Sequence, residues 1–170
     1  IYGMLFMIGT ALSALALCVV VITRIMETGP LSVVANAETL HDLGKLMLAF
    51  IMVWAYFSYS QFLIIWSGNL PEEIPWYLRR FHGAWGGIGL ILVLFHFAVP
   101  FLVLLSRDVK RRAKTVGLVA LGILAARVVD LFWLVRPEFP PTGFPVHWLD
   151  VTLAVGVGGV WLGAFARQLK

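Results

Sequence analysis

Residues 115–135 read TVGLVALGILAARVVDLFWLV, an apolar run with one arginine and one aspartate inside it. A membrane-spanning helix needs about 20 mostly apolar residues, and this run has that length. Arg127 and Asp130 are three residues apart, so a helix places both side chains on one face, where they can pair. This stretch therefore predicts a membrane helix and holds the most unusual polar groups of the chain.

Four other segments have the same length and character, namely residues 1–23, 45–66, 83–106 and 148–165. Hydrophobic residues make up 61% of the 170 residues, against roughly 45–50% in a soluble globular protein. Charged residues make up only 13%, and the net charge is +4. This composition excludes a soluble enzyme and a nucleic-acid-binding module, because so small a fold could not hide that much apolar surface from water.

Lipid offers the backbone no hydrogen-bond partners, so each of these segments must be helical. The sequence therefore predicts an all-α membrane protein in which five transmembrane helices form a single bundle over residues 1–170. Between the second and third helices, residues 69–81 (NLPEEIPWYLRRF) predict a short amphipathic segment in the membrane interface. The chain begins with Ile1 rather than Met, and we expect it to be part of a longer polypeptide.

Lysine and arginine in the loops predict the orientation of the helices, because basic residues concentrate on the cytoplasmic side. One side of the predicted bundle has nine of them: Arg24, Lys45, Arg107, Lys110, Arg111, Arg112, Lys114, Arg167 and Lys170. The opposite side has three: Arg79, Arg80 and Arg136. We expect a bacterial cytoplasmic membrane protein with its N-terminal end outside and its C-terminus in the cytoplasm.

Ionisable groups at membrane depth are expensive and are functional candidates by default. Arg127 and Asp130 could form a static pair that orients their helix, or Asp130 could exchange protons on a proton or quinol path. His96 lies inside the third helix, four residues before Pro100, which frees a carbonyl group near the histidine and can kink the helix. His96 could be a structural histidine bonded to a neighbouring helix, or a proton relay.

The second helix carries its own polar residues, among them Tyr56, Ser58 and Gln61. They could bridge helices, or they could line a hydrated half-channel. Such a channel would join Asp130 to His41, Asp42 and Lys45 at the cytoplasmic end. Two glycine pairs, Gly83/Gly87 and Gly159/Gly163, predict close helix packing within the chain or against a partner.

Haem binding is an alternative with a weaker pattern. His82 and His96 are fourteen residues apart, as in a two-haem membrane cytochrome, but a second histidine pair on one facing helix is missing from the sequence. A single haem between His82 and His147 near the outer face remains open. Cys18 is the only cysteine, so a disulfide, a cysteine-based zinc site, an iron–sulfur cluster and a c-type haem attachment are excluded within this chain.

Several short patterns occur in an order that resembles one family of membrane subunits. They are LHDLGKL at 40–46, WAY at 54–56, SQF at 60–62, IW at 65–66, NLPEE at 69–73 with Trp76 and Arg79–Arg80, HF at 96–97, PF at 100–101, the basic residues near 107–111, VD at 129–130 with Trp133, and WLD at 148–150. Over nearly the whole chain, the set is similar to the ActF membrane subunits of alternative complex III, relatives of the NrfD and polysulfide-reductase membrane anchors. The chain looks like the C-terminal half of such a subunit.

The resemblance implies a non-redox membrane subunit of a quinol-oxidising electron-transfer complex. The implied partners are an iron–sulfur subunit, a multihaem cytochrome c subunit, a related NrfD-like subunit and lipid. No cofactor is expected within this chain, whereas a quinone or quinol belongs to the parent complex. By resemblance, six interior polar residues are candidates for a transmembrane proton path: Lys45, Tyr56, Gln61, His96, Arg127 and Asp130.

Overall fold

A computed structural model describes residues 2–28, 36–138 and 148–168. Every regular element in these ranges is helical. The chain divides into two compact units between Val135 and Arg136. Within the described ranges, the first unit holds six helices and all six residues of the predicted proton path. The second unit contains one long helix.

The helices are numbered here in chain order. They are α1 (Tyr2–Thr28), α2 (Ala37–Gly68), α3 (Ile74–Phe81), α4 (Ala84–Leu105), α5 (Arg107–Lys110), α6 (Ala113–Val135, followed by the 3₁₀ turn Arg136–Glu138) and α7 (Trp148–Gln168).

Four of the described helices are long and apolar enough to cross a membrane: α1, α2, α4 and α6. They cover four of the five predicted spans, and the all-helical fold class is confirmed for the described residues. The fifth predicted span, 148–165, is helical as α7, but its crossing of a membrane stays a prediction. The predicted interfacial segment contains α3, and its position at a membrane surface also stays a prediction.

Helix α2 begins eight residues before the predicted start, because Asn36 caps it. The Asn36 Oδ1 accepts hydrogen bonds from the backbone N–H groups of Glu38 (3.1 Å) and Thr39 (2.9 Å). Such a cap satisfies backbone donors that a helix start leaves open, and the Glu38 carboxylate favours the same end. At the other end, Asn69 adopts a left-handed conformation at φ 48° and its N–H donates to the carbonyl group of Ile65.

Helix α4 changes its winding in the middle. Its first part, Ala84–Leu92, is α-helical, Val93–Ala98 is π-helical, and Val99–Leu105 is α-helical again. Pro100 has no N–H to donate to the carbonyl group of His96, and the Val99 N–H donates to Leu94, five residues back. The distortion expected near Pro100 is therefore a π-helical turn, and it contains His96.

The hydrophobic core lies between α1, α2, α4 and α6. Its fully buried members are Leu12, Ala16, Val19, Met47, Ile51, Leu104, Val116, Ala120 and Ile123. Helices α1 and α6 pack antiparallel: Gly9 of α1 lies against Arg127, whereas Thr23 of α1 lies against Gly117. We call the end of this unit near α3 the α3 end and the opposite end, near α5, the α5 end. The core fills the α5 half and leaves the polar groups of interest in the α3 half.

Candidate functional site

The centre of the candidate site is an ion pair on α6. The Arg127 Nη1 donates a hydrogen bond to the Asp130 Oδ2, and both residues are buried, with 4% and 3% of their surface exposed. A three-residue separation brings side chains together on a helix, so the backbone of α6 itself forms the pair. The predicted pairing is confirmed, while the functional role of the pair is not decided by this contact.

Helix α1 leaves room for the arginine at a glycine. A Cβ atom added to Gly9 would overlap the guanidinium group of Arg127. The Phe6 ring, one turn earlier, lies 5.6 Å from the Arg127 Cζ, which is within the range of a cation–π contact. The guanidinium group thus lies against a carboxylate, the backbone of a glycine and an aromatic ring.

His96 lies beside this pair and is completely buried. Its ring stacks on the indole of Trp54 with centroids 4.2 Å apart and planes 15° from parallel. Neither ring nitrogen of His96 has a hydrogen-bond partner among the described residues. Arg127 interacts electrostatically with His96, and the Trp54 side chain lies within hydrogen-bonding reach of the Asp130 carboxylate. One small region therefore contains a carboxylate, a guanidinium, an imidazole and an indole from three helices.

Two more of the predicted residues, Tyr56 and Gln61, line a cavity of about 740 Å³ in the α3 half of the first unit. Asp130 and Trp54 line the same cavity. Gln61 is buried, whereas Tyr56 is mostly exposed. The structure therefore brings five of the six predicted residues to the cavity or to the ion pair beside it.

The sixth predicted residue, Lys45, lies elsewhere. It is exposed and its Nζ donates to the Asp42 Oδ1 at 3.1 Å. The fully buried Met47 and Ile51 lie between it and Trp54 on α2, and Lys45 to Trp54 is about 14 Å along the helix axis. The structure thus shows an apolar core between Lys45 and the site, and its part in a proton path stays a prediction.

Arg80, one of the three basic residues predicted on the outer side, is completely buried. Its Nη1 donates to the carbonyl group of Trp76 at 2.9 Å, and its Nη2 donates to the carbonyl group of Leu134 at 2.7 Å. Its guanidinium group lies 3.7 Å above the Trp76 ring. The reason is local: α6 ends near Leu134, where carbonyl groups lack helical partners and attract a cation.

Only one of the two histidines of the haem alternative lies in the described residues. His82 follows α3, is exposed, and its Nδ1 lies 2.8 Å from the carbonyl oxygen of Leu78. Its predicted partner, His147, lies outside the described residues, as does Lys170 of the predicted basic side. Within the described ranges, no group of three or more histidine, cysteine, aspartate or glutamate side chains is placed to hold a metal ion.

Sequence reasoning missed two residues of this site, Trp54 and Gly9. The signal for Trp54 was available, because Trp54, Ser58 and Gln61 follow the i, i+4, i+7 pattern of one helix face. No signal marked Gly9, since its importance comes from a side chain that is distant in the sequence.

No protein-family model matches this chain, and no curated protein matches it significantly.

Proposed function

We propose that this chain is a membrane subunit of a quinol-oxidising electron-transfer complex of the alternative complex III type. In this role it supplies helical scaffold and a transmembrane proton path that passes through Asp130. The subunit itself carries no redox centre, and the electrons move through an iron–sulfur subunit and a multihaem cytochrome c subunit beside it. The ordered sequence patterns support the choice of complex, and the buried polar cluster supports the proton path.

The observation that carries the proposal is the unpaired imidazole of His96 next to the Arg127–Asp130 pair. A buried polar group without a hydrogen bond costs about 1–3 kcal/mol. A purely structural histidine would be expected to bond a neighbouring helix, as most buried polar groups do. An imidazole with both nitrogens open, beside the guanidinium group of a buried ion pair, is placed to accept and release a proton on such a path.

The placement in the membrane follows from the basic residues and the helix lengths. We propose five spanning helices, with α7 as the fifth, in the bacterial cytoplasmic membrane. Helix α3 lies in the outer interface, since its exposed Arg79 and its tryptophan suit the headgroup region. The N-terminal end is then outside and the C-terminus in the cytoplasm.

A static anchor is the second candidate function. The close fit of Gly9 against Arg127 favours it, because this contact could simply lock α1 onto α6. In that case the ion pair would be structural, and a neutral pair of the same shape would replace it without loss of activity.

The membership of the complex is tested by purification. An affinity tag on the full-length protein, expressed in its native host, should co-purify an iron–sulfur protein and a multihaem cytochrome c from detergent-solubilised membranes. Recovery of the tagged protein alone, or with a haem b absorbance that belongs to this subunit, would contradict the proposal.

The proton path is tested with the double variant Arg127→Gln, Asp130→Asn in the assembled complex. It removes both charges and keeps the shapes. We expect normal assembly with quinol turnover lower by about a hundredfold, which lies in the range of lost general acid–base transfer, and loss of proton release in vesicles. The matched control is Asp108→Asn with Arg111→Gln, which neutralises two exposed groups with the same spacing near α5. Unchanged turnover and proton release in the first variant would establish the static anchor instead.

A further inference from the structure

Lys110 is a largely buried cation at the α5 end of the first unit, where α5 packs against α2 and α6. Only 7% of its surface is exposed, and its aliphatic chain lies on Gly44 of α2. Among the described residues, no side chain forms a hydrogen bond or an ion pair with Lys110. A buried charge is costly without a counterion, so an anion at the Lys110 ammonium group would be stabilising.

Lys110 belongs to a cluster of cations around His41. Lys45, Arg107 and Lys110 all interact electrostatically with this histidine, and we call these four residues the basic cluster. Asp42 is the acidic residue that also interacts with His41, but its Oδ1 already accepts a hydrogen bond from the Lys45 Nζ at 3.1 Å. Arg107 and Lys110 are therefore left without an ion pair in the described part of the chain.

More positive charge follows directly on the basic cluster. Residues 107–114 read RDVKRRAK, in which Asp108 is the only acidic residue. Arg111, Arg112 and Lys114 are all exposed and lie within four residues of Lys110. Charges of one sign that are this close together give a positive potential, which attracts anions over about 10 Å at 0.1 M salt.

Exposed apolar side chains border the basic cluster. Leu102 and Leu105 come just before Arg107 on α4, and Leu46 follows Lys45 on α2; all three leucines are exposed. Helices α2 and α4 are both long and apolar enough to cross a membrane, and the basic cluster lies at the ends of their apolar stretches. In a membrane, the leucines then lie at the level of the acyl chains and the cations at the level of the headgroups.

We propose that the α5 end of the first unit binds an anionic phospholipid, with its phosphate at Arg107 and Lys110 and its acyl chains on the exposed leucines. Such a lipid supplies both the negative charge and the hydrocarbon that this surface lacks. A free phosphate ion would provide the charge but would leave the leucines uncovered. The inference goes beyond the proposed function, because it requires the spanning helices but neither the electron-transfer complex nor the proton path.

The test is photo-crosslinking of the full-length protein in phosphatidylcholine nanodiscs. Phosphatidylglycerol and phosphatidylcholine probes carry the same diazirine-bearing acyl chain, and the labelled peptides are mapped by mass spectrometry. We expect the anionic probe to label the start of α2 and the segment from Leu102 to Lys110 about tenfold more strongly, because two cations gain a counterion. Equal labelling by the two probes would overturn the inference.

A competition experiment distinguishes the lipid from a free anion. Sodium phosphate and sodium chloride are compared at equal ionic strength, so that both screen exposed charges to the same extent. We expect the same labelling in the two salts. Loss of the labelling in phosphate alone would show a site for the free ion and would overturn the assignment to a lipid.

A charge variant tests the two cations of the proposed site. Arg107→Gln with Lys110→Gln should lower labelling by the anionic probe about tenfold, to the level of the phosphatidylcholine probe. The matched control is Arg111→Gln with Lys114→Gln, which removes the same charge from exposed residues outside the basic cluster. An equal loss in the two variants would show attraction by the overall charge and would overturn the inference.

A second variant moves Lys110 without changing any charge, and it decides the matter if the charge variant fails to fold. A Cβ atom added to Gly44 would come within 2.9 Å of the Lys110 Cγ, so Gly44→Ala forces the lysine chain to shift. We expect about threefold weaker labelling by the anionic probe and unchanged labelling by the neutral one. Gly68→Ala is the control on the same helix, since a Cβ atom there meets nothing within 4 Å. An intact preference for the anionic probe in Gly44→Ala would overturn Lys110 as the anion site.

Discussion

Arg127 is almost completely buried, so the groups that stabilise its charge must come from the protein. Asp130 neutralises it, Gly9 gives it space, and the Phe6 ring lies against it. Breaking a buried pair by removing one partner is far more costly than replacing both partners, because the remaining charge is stranded in a medium of low dielectric constant. Two predictions on stability follow at the scale of single residues.

The first concerns the pair itself. Arg127→Gln alone should lower the stability by about 3–5 kcal/mol, and adding Asp130→Asn should restore a large part of that loss. Thermal unfolding of the purified protein in detergent, for the wild type, both single variants and the double variant, measures this. A double variant that is less stable than both single variants would contradict the stranded-charge explanation.

The second concerns the space for the arginine. Gly9→Ala should destabilise the protein by about 1–3 kcal/mol, because its methyl group overlaps the guanidinium group and forces it to move. Gly122→Ala is the matched control on α6: a Cβ atom there meets nothing within 4 Å, and alanine is the better helix former. The unfolding midpoints should therefore shift in opposite directions, and a loss of the same size at both positions would refute the contact as the cause.

At the scale of elements, two helices behave differently from what their sequences suggested. Helix α4 contains a π-helical turn at Val93–Ala98, which places His96 in the interior against Trp54. Helix α3 is amphipathic, yet its Arg80 is buried and joins α3 to the end of α6. A basic residue between two membrane helices does not report their orientation when carbonyl groups at a neighbouring helix end bind it.

The prediction at this scale concerns the link between α3 and α6. Arg80→Lys should lower the stability by about 1–3 kcal/mol, because a lysine cannot donate to Trp76 and Leu134 at once in the same planar geometry. Hydrogen exchange of the α3 amide groups should become faster. The control is Arg79→Lys next to it, where the Nε donates to the carbonyl group of Pro75 within α3. Equal effects of the two variants would show that Arg80 does not join the helices.

At the scale of the whole molecule, the four long helices α1, α2, α4 and α6 alternate in direction if each crosses a membrane. The segment between α2 and α4 then faces one side, and the segment between α4 and α6 faces the other. The basic residues cluster in the second of these segments, which predicts that it is cytoplasmic.

Labelling in whole cells tests this orientation. In a Cys18→Ser background, a cysteine introduced by Glu72→Cys should react with a membrane-impermeant maleimide in spheroplasts. A cysteine introduced by Asp108→Cys should react only after the membrane is opened. Both positions are exposed, so buried side chains do not complicate the result. The reverse pattern would show the opposite orientation. Labelling of both cysteines in intact spheroplasts would show that the two segments do not lie on opposite sides of the membrane.

The amino-acid sequence determined the helical class and the four long apolar helices, because hydrophobic length and backbone hydrogen bonding are local properties. It also determined the Arg127–Asp130 pair, since both residues lie on one turn of one helix. The neighbours of that pair were decided only by the tertiary structure: Gly9 comes from α1, Trp54 from α2 and His96 from α4. The burial of Arg80 and the apolar barrier between Lys45 and the site were decided in the same way. Contacts between helices depend on how they rotate and approach, and no local pattern along the chain carries that information.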